Sequence, residues 1–79
     1  MWVEVLYFAS LREQAGMASE RVETQARDLR ALYESLRETR GLSFPIDRLR
    51  ASMDGAFAAW DTPLREGAEV AFLPPVSGG

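Results

Sequence analysis

Apolar and polar positions alternate at the start of the chain. Over residues 2–8, Val3, Val5 and Tyr7 fall on one side of an extended backbone and Glu4, Leu6 and Phe8 on the other. The aromatic and β-branched content predicts a strand. Residues 10–15 read as a short helix, with Ser10 as its N-cap, Glu13 three residues on and Gly16 as its end. A second, weaker strand is expected over residues 19–23, alternating through Val22. The period then lengthens. Leu29, Leu32, Tyr33 and Leu36 recur at i, i+3, i+4 and i+7, which predicts a helix over residues 27–40 with one apolar stripe.

Charges along that helix agree with its dipole: Asp28 lies near the start, and Arg37 and Arg40 near the end. Gly41 fits the position after the last turn. Thr24 or Gln25 is expected as the N-cap, and Arg30 with Glu34 as an i, i+4 pair on the wet face. Phe44-Pro45 ends the helical pattern. Residues 50–53 and 56–59 flank Asp54-Gly55, a hairpin dipeptide. Residues 63–67 form another turn anchored by Leu64. Residues 69–73 read as the last strand, with Val70 and Phe72 on one face and Ala71 and Leu73 on the other.

The first and last strands are the most apolar, which places them adjacent and central. One long helix packed across one face of a mixed sheet gives a two-layer α+β domain. This is the β-grasp, or ubiquitin-like, arrangement, expected over residues 1–73 and followed by a flexible tail over residues 74–79. One helix covers only one face of the sheet. Leu6, Phe8 and Leu73 point to the other face, and Phe57 joins them from the hairpin. An apolar patch of this kind predicts a protein partner docked near the tail; the alternative is a second, minor core beneath the loops.

Composition narrows the chemistry. The chain has 79 residues and a net charge of −3, with no Cys and no His. This removes thiolate nucleophiles, His bases, disulfides and the usual zinc ligands. No loop has calcium-site spacing, so no metal is expected. The chain alone is poorly equipped as an enzyme. All nine basic residues are Arg and do not cluster, which argues against nucleic acid as a partner. No apolar run reaches membrane-spanning length and no basic leader precedes the first strand, so a cytoplasmic protein with no membrane partner is expected. Without Lys, the chain offers no ε-amine for conjugation to itself.

The ending carries the remaining signal. Pro74-Pro75 is followed by Val76, Ser77, Gly78 and Gly79. The proline pair keeps the base of the tail extended. A Gly-Gly end is thin enough to thread a narrow channel, and no Cβ shields its carboxylate. Six residues reach roughly 20 Å when extended. The Gly79 carboxylate is therefore the candidate reactive group.

The run Val5-Leu6-Tyr7-Phe8-Ala9-Ser10-Leu11-Arg12-Glu13 with Gly16, and the closing segment from Asp61-Thr62-Pro63-Leu64 through Gly67, Glu69-Val70 and Pro74-Pro75-Val76-Ser77-Gly78-Gly79, resemble the small, sulfur-carrying subunit of molybdopterin synthase. Asp54 stands where such proteins commonly carry Asn. The resemblance implies that an ATP-dependent adenylyltransferase activates Gly79 and that a sulfur donor converts it to a thiocarboxylate. It implies that the tail, Pro74 to Gly79, then inserts into the large catalytic subunit of the synthase and gives sulfur to cyclic pyranopterin monophosphate. Two carriers would serve one large-subunit dimer, a heterotetramer. No cofactor would be bound by the carrier itself; ATP is used by the activating enzyme. Leu6, Phe8, Phe57 and Leu73 would make the partner contacts. The competing readings are a carrier for thiamin or cysteine synthesis, a ubiquitin-like modifier of target lysines, and a plain interaction domain.

Overall fold

Alternating burial along the first strand sets the architecture. In a computed structural model that describes residues 1–75, strand β1 (Trp2–Tyr7) buries Val3, Val5 and Tyr7. Helix α1 (Ala9–Ala15) and strand β2 (Ser19–Glu23) follow, then helix α2 (Leu29–Arg40). A single 3-10 turn (Ile46–Arg48) leads into the hairpin of β3 (Arg50–Met53) and β4 (Ala56–Ala58), and β5 (Glu69–Leu73) closes the domain. The five strands form one mixed sheet in the order β2-β1-β5-β3-β4. β1 and β5 are parallel; every other pair is antiparallel. This is the expected β-grasp, with α2 as the longer of two helices.

The register puts Val5 opposite Val70 and Tyr7 opposite Phe72, all facing the core. α2 contributes Leu29, Leu32, Tyr33 and Leu36 to the same core. Phe72 is its aromatic centre. Tyr33 meets it edge-on at 5.0 Å between centroids, and Trp60 stacks on it at 5.9 Å with the planes 5° apart. Such pairs contribute about 0.5–1.5 kcal/mol beyond area burial. The Tyr33 hydroxyl donates to the Phe44 carbonyl at 2.6 Å, so its polar end is satisfied. Leu64 is buried, as its turn position predicts.

Two helix starts differ from expectation. Neither Thr24 nor Gln25 caps α2. Asp28 is extended (φ −147°), and its Oδ1 accepts the Ala31 N–H at 2.9 Å. The first two N–H groups of the helix go to carbonyls of a distant loop: Leu29 to Thr62 at 3.2 Å and Arg30 to Trp60 at 2.9 Å. Thr24 Oγ1 instead accepts from the Ala26 N–H. α1 begins at Ala9, one residue before the expected Ser10 cap. Ala9 adopts a left-handed φ of 51°, and the Phe8 carbonyl accepts from Leu11 and Arg12. On the wet face of α2, Glu34 pairs with Arg37 at 3.8 Å rather than with Arg30.

The hairpin behaves as its dipeptide requires. Asp54 and Gly55 both have positive φ, the geometry that suits the twist of a two-residue turn. Asp54 also acts at longer range. Its carboxylate accepts the Glu69 N–H at 2.9 Å and pairs with Arg65. The Glu69 hydrogen bond, helped by Arg65, holds its carboxyl below the usual range.

A polar clamp closes the β2 edge of the core. Glu20, opposite Val5, takes the inward position there. It accepts two hydrogen bonds from Arg40, at 2.8 and 2.6 Å, and one from the Tyr7 hydroxyl at 2.6 Å. The Arg40 hydrogen bonds hold the Glu20 carboxyl below its ordinary range. Burial, reinforced by Glu20, pushes the Tyr7 phenol up.

Two outcomes are expected. Asp28→Ala should cost about 1 kcal/mol in urea unfolding, the usual worth of an N-cap. Glu20 titrates lower folded than unfolded, so its pairing stabilises at neutral pH and fades as the pH falls below about 4.3. The stability gap between wild type and Glu20→Gln should therefore be wide at pH 7 and narrow toward pH 3; a gap independent of pH contradicts the clamp.

Candidate functional site

The sheet face turned away from α2 is built from residues one step out of phase with the core. Cross-strand pairing lines up Leu6, Ala71, Ser52 and Phe57 in one row, since Leu6 is opposite Ala71, Ala71 opposite Ser52, and Ser52 opposite Phe57. Four neighbouring strands give this row a span of roughly 14 Å. Leu73, opposite Arg50, lies in the next row toward the strand end. Phe8 follows Tyr7 and leaves the sheet at the same end. Thus the structure brings Leu6, Phe8, Leu73 and Phe57 onto one face, as the alternation predicts.

Exposure separates these four residues. Phe57 is 64% exposed and Phe8 43%, whereas Leu6 and Leu73 are half-buried by their neighbours. No second core forms over them among the described residues: Trp60, the large side chain of the nearest loop, packs into the main core instead. Ala9 contributes to the exposure of Phe8. Its left-handed backbone turns the chain into α1 immediately after the ring.

Two neighbours of the patch were not singled out from the sequence. Arg50 places its guanidinium 4.5 Å from the centre of the Phe57 ring. Ser52 interrupts the apolar row between Ala71 and Phe57. Both follow from the Asp54-Gly55 turn: a two-residue loop sets Ser52 opposite Phe57 and leaves Arg50 two residues away on the same face. The face is therefore aliphatic across β1 and β5 and becomes aromatic with one cation across β3 and β4. Toward the opposite end it turns polar, through Arg21, Glu4 and Glu69.

The tail leaves from the end of the central strand. β5 is the middle strand of the sheet, and it ends at Leu73. Pro74 is half-buried and Pro75 exposed. Val76, Ser77, Gly78 and Gly79, on which the expectations of tail insertion and of a reactive carboxylate fall, lie outside the described residues. Around the tail root the sheet supplies Phe8, Leu73 and Arg50, which can bind a partner surface but are not an acid–base pair. Among the described residues no cluster of three His, Cys, Asp or Glu is placed to hold a metal ion, and no helix is long and apolar enough to cross a membrane.

A small β-grasp domain with an exposed apolar sheet face at the root of its terminal segment defines a class of ubiquitin-like carrier and modifier domains. Residues 5–79 match the ThiS family, and the chain belongs to it. The molybdopterin synthase sulfur carrier subunit of Escherichia coli is 32% identical over 98% of this chain and 99% of that protein. SAMP1 from Haloferax volcanii superposes with a TM-score of 0.83 at 27% identity, over the whole of both chains. In a complex of subunits 1 and 2 of the molybdopterin-converting factor from Helicobacter pylori, a chain 29% identical superposes with a TM-score of 0.69, again over the whole of both chains.

If Phe8 and Phe57 serve this surface rather than the core, replacing them should barely change stability. Phe8→Ser and Phe57→Ser should each shift the urea unfolding free energy by less than about 1 kcal/mol. Phe72→Ala, in the aromatic centre, should cost about 3–5 kcal/mol.

Proposed function

We infer that this protein is the sulfur carrier of a molybdopterin synthase, with its sulfur borne on the Gly79 carboxylate. The observation that carries this reading is the near full-length likeness to the E. coli sulfur carrier subunit, in a chain whose family match runs through Gly79. The exposed face beside the tail root supports it, since a tail that must be delivered needs a docking surface next to it.

The chemistry follows from the terminus. A carboxylate resists nucleophilic attack because of its charge. In the proposed cycle a Gly79 carboxylate oxygen attacks the α-phosphorus of ATP on a separate adenylyltransferase, and pyrophosphate leaves. Sulfide from the sulfur donor then attacks the acyl carbon, and AMP leaves with the shared oxygen. The resulting thiocarboxylate is carried into the large synthase subunit, which supplies the acid–base groups. There the sulfur passes to cyclic pyranopterin monophosphate. This chain contributes the thin end, the stiff Pro74-Pro75 base and the apolar face. In this reading Leu6, Phe8, Leu73 and Phe57 dock on the large subunit; the complex of subunits 1 and 2 from H. pylori supports a partner of that kind. Burial of an exposed aromatic ring at such an interface contributes roughly 1–2 kcal/mol or more.

A second reading rests on the likeness to SAMP1, the small archaeal modifier protein 1 of H. volcanii. Here the activated Gly79 would be joined to lysines of other proteins. Having no Lys of its own, this chain would offer no ε-amine as an acceptor. Gly79-dependent adducts of higher mass in a lysate would favour this reading over the first.

Deleting Gly79 should abolish sulfur transfer in a synthase reconstituted with the large subunit and the activating enzyme, while the chemical-shift dispersion of the domain stays unchanged. Transfer at the wild-type rate would refute the reading. Phe8→Glu should weaken large-subunit binding about tenfold or more by calorimetry.

A further inference from the structure

The last rung of the sheet is open. Strand β4 is the outer strand, and beyond it no strand follows among the described residues. The two-residue turn makes Met53 and Ala56 a hydrogen-bonded pair, so Ser52 and Phe57 form the next, non-bonded pair. The Phe57 N–H and C=O therefore point away from β3, toward the open edge. β4 is short, which by itself limits strand pairing, but three other features leave this edge open to it. β4 carries no charge and no proline. Its central side chain is a highly exposed phenylalanine. And a groove of about 350 Å³ lies at the end of the hairpin remote from its turn, lined by Leu49, Arg50, Ala51, Phe57, Ala59 and Trp60, with Ala58 between.

The groove has one charged lining residue, Arg50. Its guanidinium lies on the Phe57 ring, and none of the ion pairs among the described residues involves it. A backbone rung, an open groove walled in part by Ala58 and Trp60, and one available cation together fit an extended peptide with an aliphatic residue and a neighbouring carboxylate.

We propose that the β4 edge binds an extended, acidic segment of a protein partner by strand addition. Its backbone bonds to Phe57 N–H and C=O, an aliphatic side chain enters the groove against Trp60 and Ala58, and a carboxylate meets Arg50. This mode supplies main-chain hydrogen bonds for affinity and side-chain pockets for selectivity. It goes beyond the carrier reading and does not depend on the chemistry of Gly79. Because Arg50 is opposite Leu73, the bound segment would lie toward the same end of the sheet as the tail root, three strand spacings or roughly 14 Å away, where it can add to contacts made on the sheet face.

The test uses the full chain and two capped synthetic peptides, Thr-Glu-Val-Glu-Val-Thr and its counterpart with Gln for Glu, followed by amide NMR. The acidic peptide should shift the Phe57 and Ala59 amides saturably and slow hydrogen exchange at Phe57. Arg50→Gln should weaken the acidic peptide by a factor of about 2 to 5, the worth of an exposed ion pair, and leave the Gln peptide unaffected. Phe57→Pro removes an outward-facing N–H and the ring and fixes φ, a change that edge strands tolerate where the N–H faces solvent. It should abolish binding of both peptides with the remaining spectrum preserved, whereas Phe57→Leu should retain binding. Absence of shifts at Phe57 at millimolar peptide, or wild-type binding by Phe57→Pro, would overturn the proposal. So would concentration-dependent pairing of the chain with itself through the Phe57 amide, which would assign the edge to a second copy. Each readout is independent of sulfur transfer, so failure here leaves the carrier reading standing.

Discussion

β1 and β5 run parallel at the centre of the sheet, and the remaining placements follow from their register. Val5 with Val70 and Tyr7 with Phe72 face the helix; Leu6 with Ala71 faces outward. Parallel pairing also makes both strands finish at the same end of the sheet, so Phe8 and Leu73 flank the point where the terminal segment departs. Two parallel strands cannot be joined by a tight turn. Here nearly the whole chain lies between them. The position of the tail root is thus set only when the entire domain has folded. A locally misfolded chain would not bring the apolar face and the tail root together.

The same register explains why so small a protein leaves aromatic rings in water. A 79-residue chain has material for one long helix, which covers one face. That face receives the efficient packing: Phe72 between Tyr33 and Trp60, and the leucines of α2. The loop over residues 59–64 assists by giving the Trp60 and Thr62 carbonyls to the helix N-terminus. Loop, helix and central strand are therefore held as one unit, and the outer face is free to meet a partner without loss of the core. Arg50 over Phe57 and the Glu20 clamp show the same economy of charge: each cation also covers or borders apolar surface.

Much of this was legible from the pattern of side chains. The alternation in β1 and β5, the leucine stripe of α2, the Asp54-Gly55 turn and the buried Leu64 are local signals, and the structure follows them closely. The departures have long-range causes. α2 starts at Leu29 because carbonyls thirty or more positions away accept its first N–H groups. α1 starts after Phe8 because Ala9 takes a left-handed turn that no propensity favours. No local pattern singles out Glu20; its partner Arg40 is a helix away in sequence but adjacent in the fold. The exposed apolar face was readable because alternation alone assigns Leu6, Phe8 and Leu73 to one side. The Arg50 contact required the hairpin register as well.

Sulfur carriage by this chain requires Gly79 to be a site of oxygen-to-sulfur exchange. The most direct measurement is the intact mass of the protein after incubation with ATP, an adenylyltransferase active on another carrier of this family, and a sulfur source. A sulfur carrier should gain the mass difference of one oxygen replaced by sulfur, located by fragmentation on Gly79. An unchanged mass, with the enzyme shown to be active on its other carrier in the same experiment, would contradict that role.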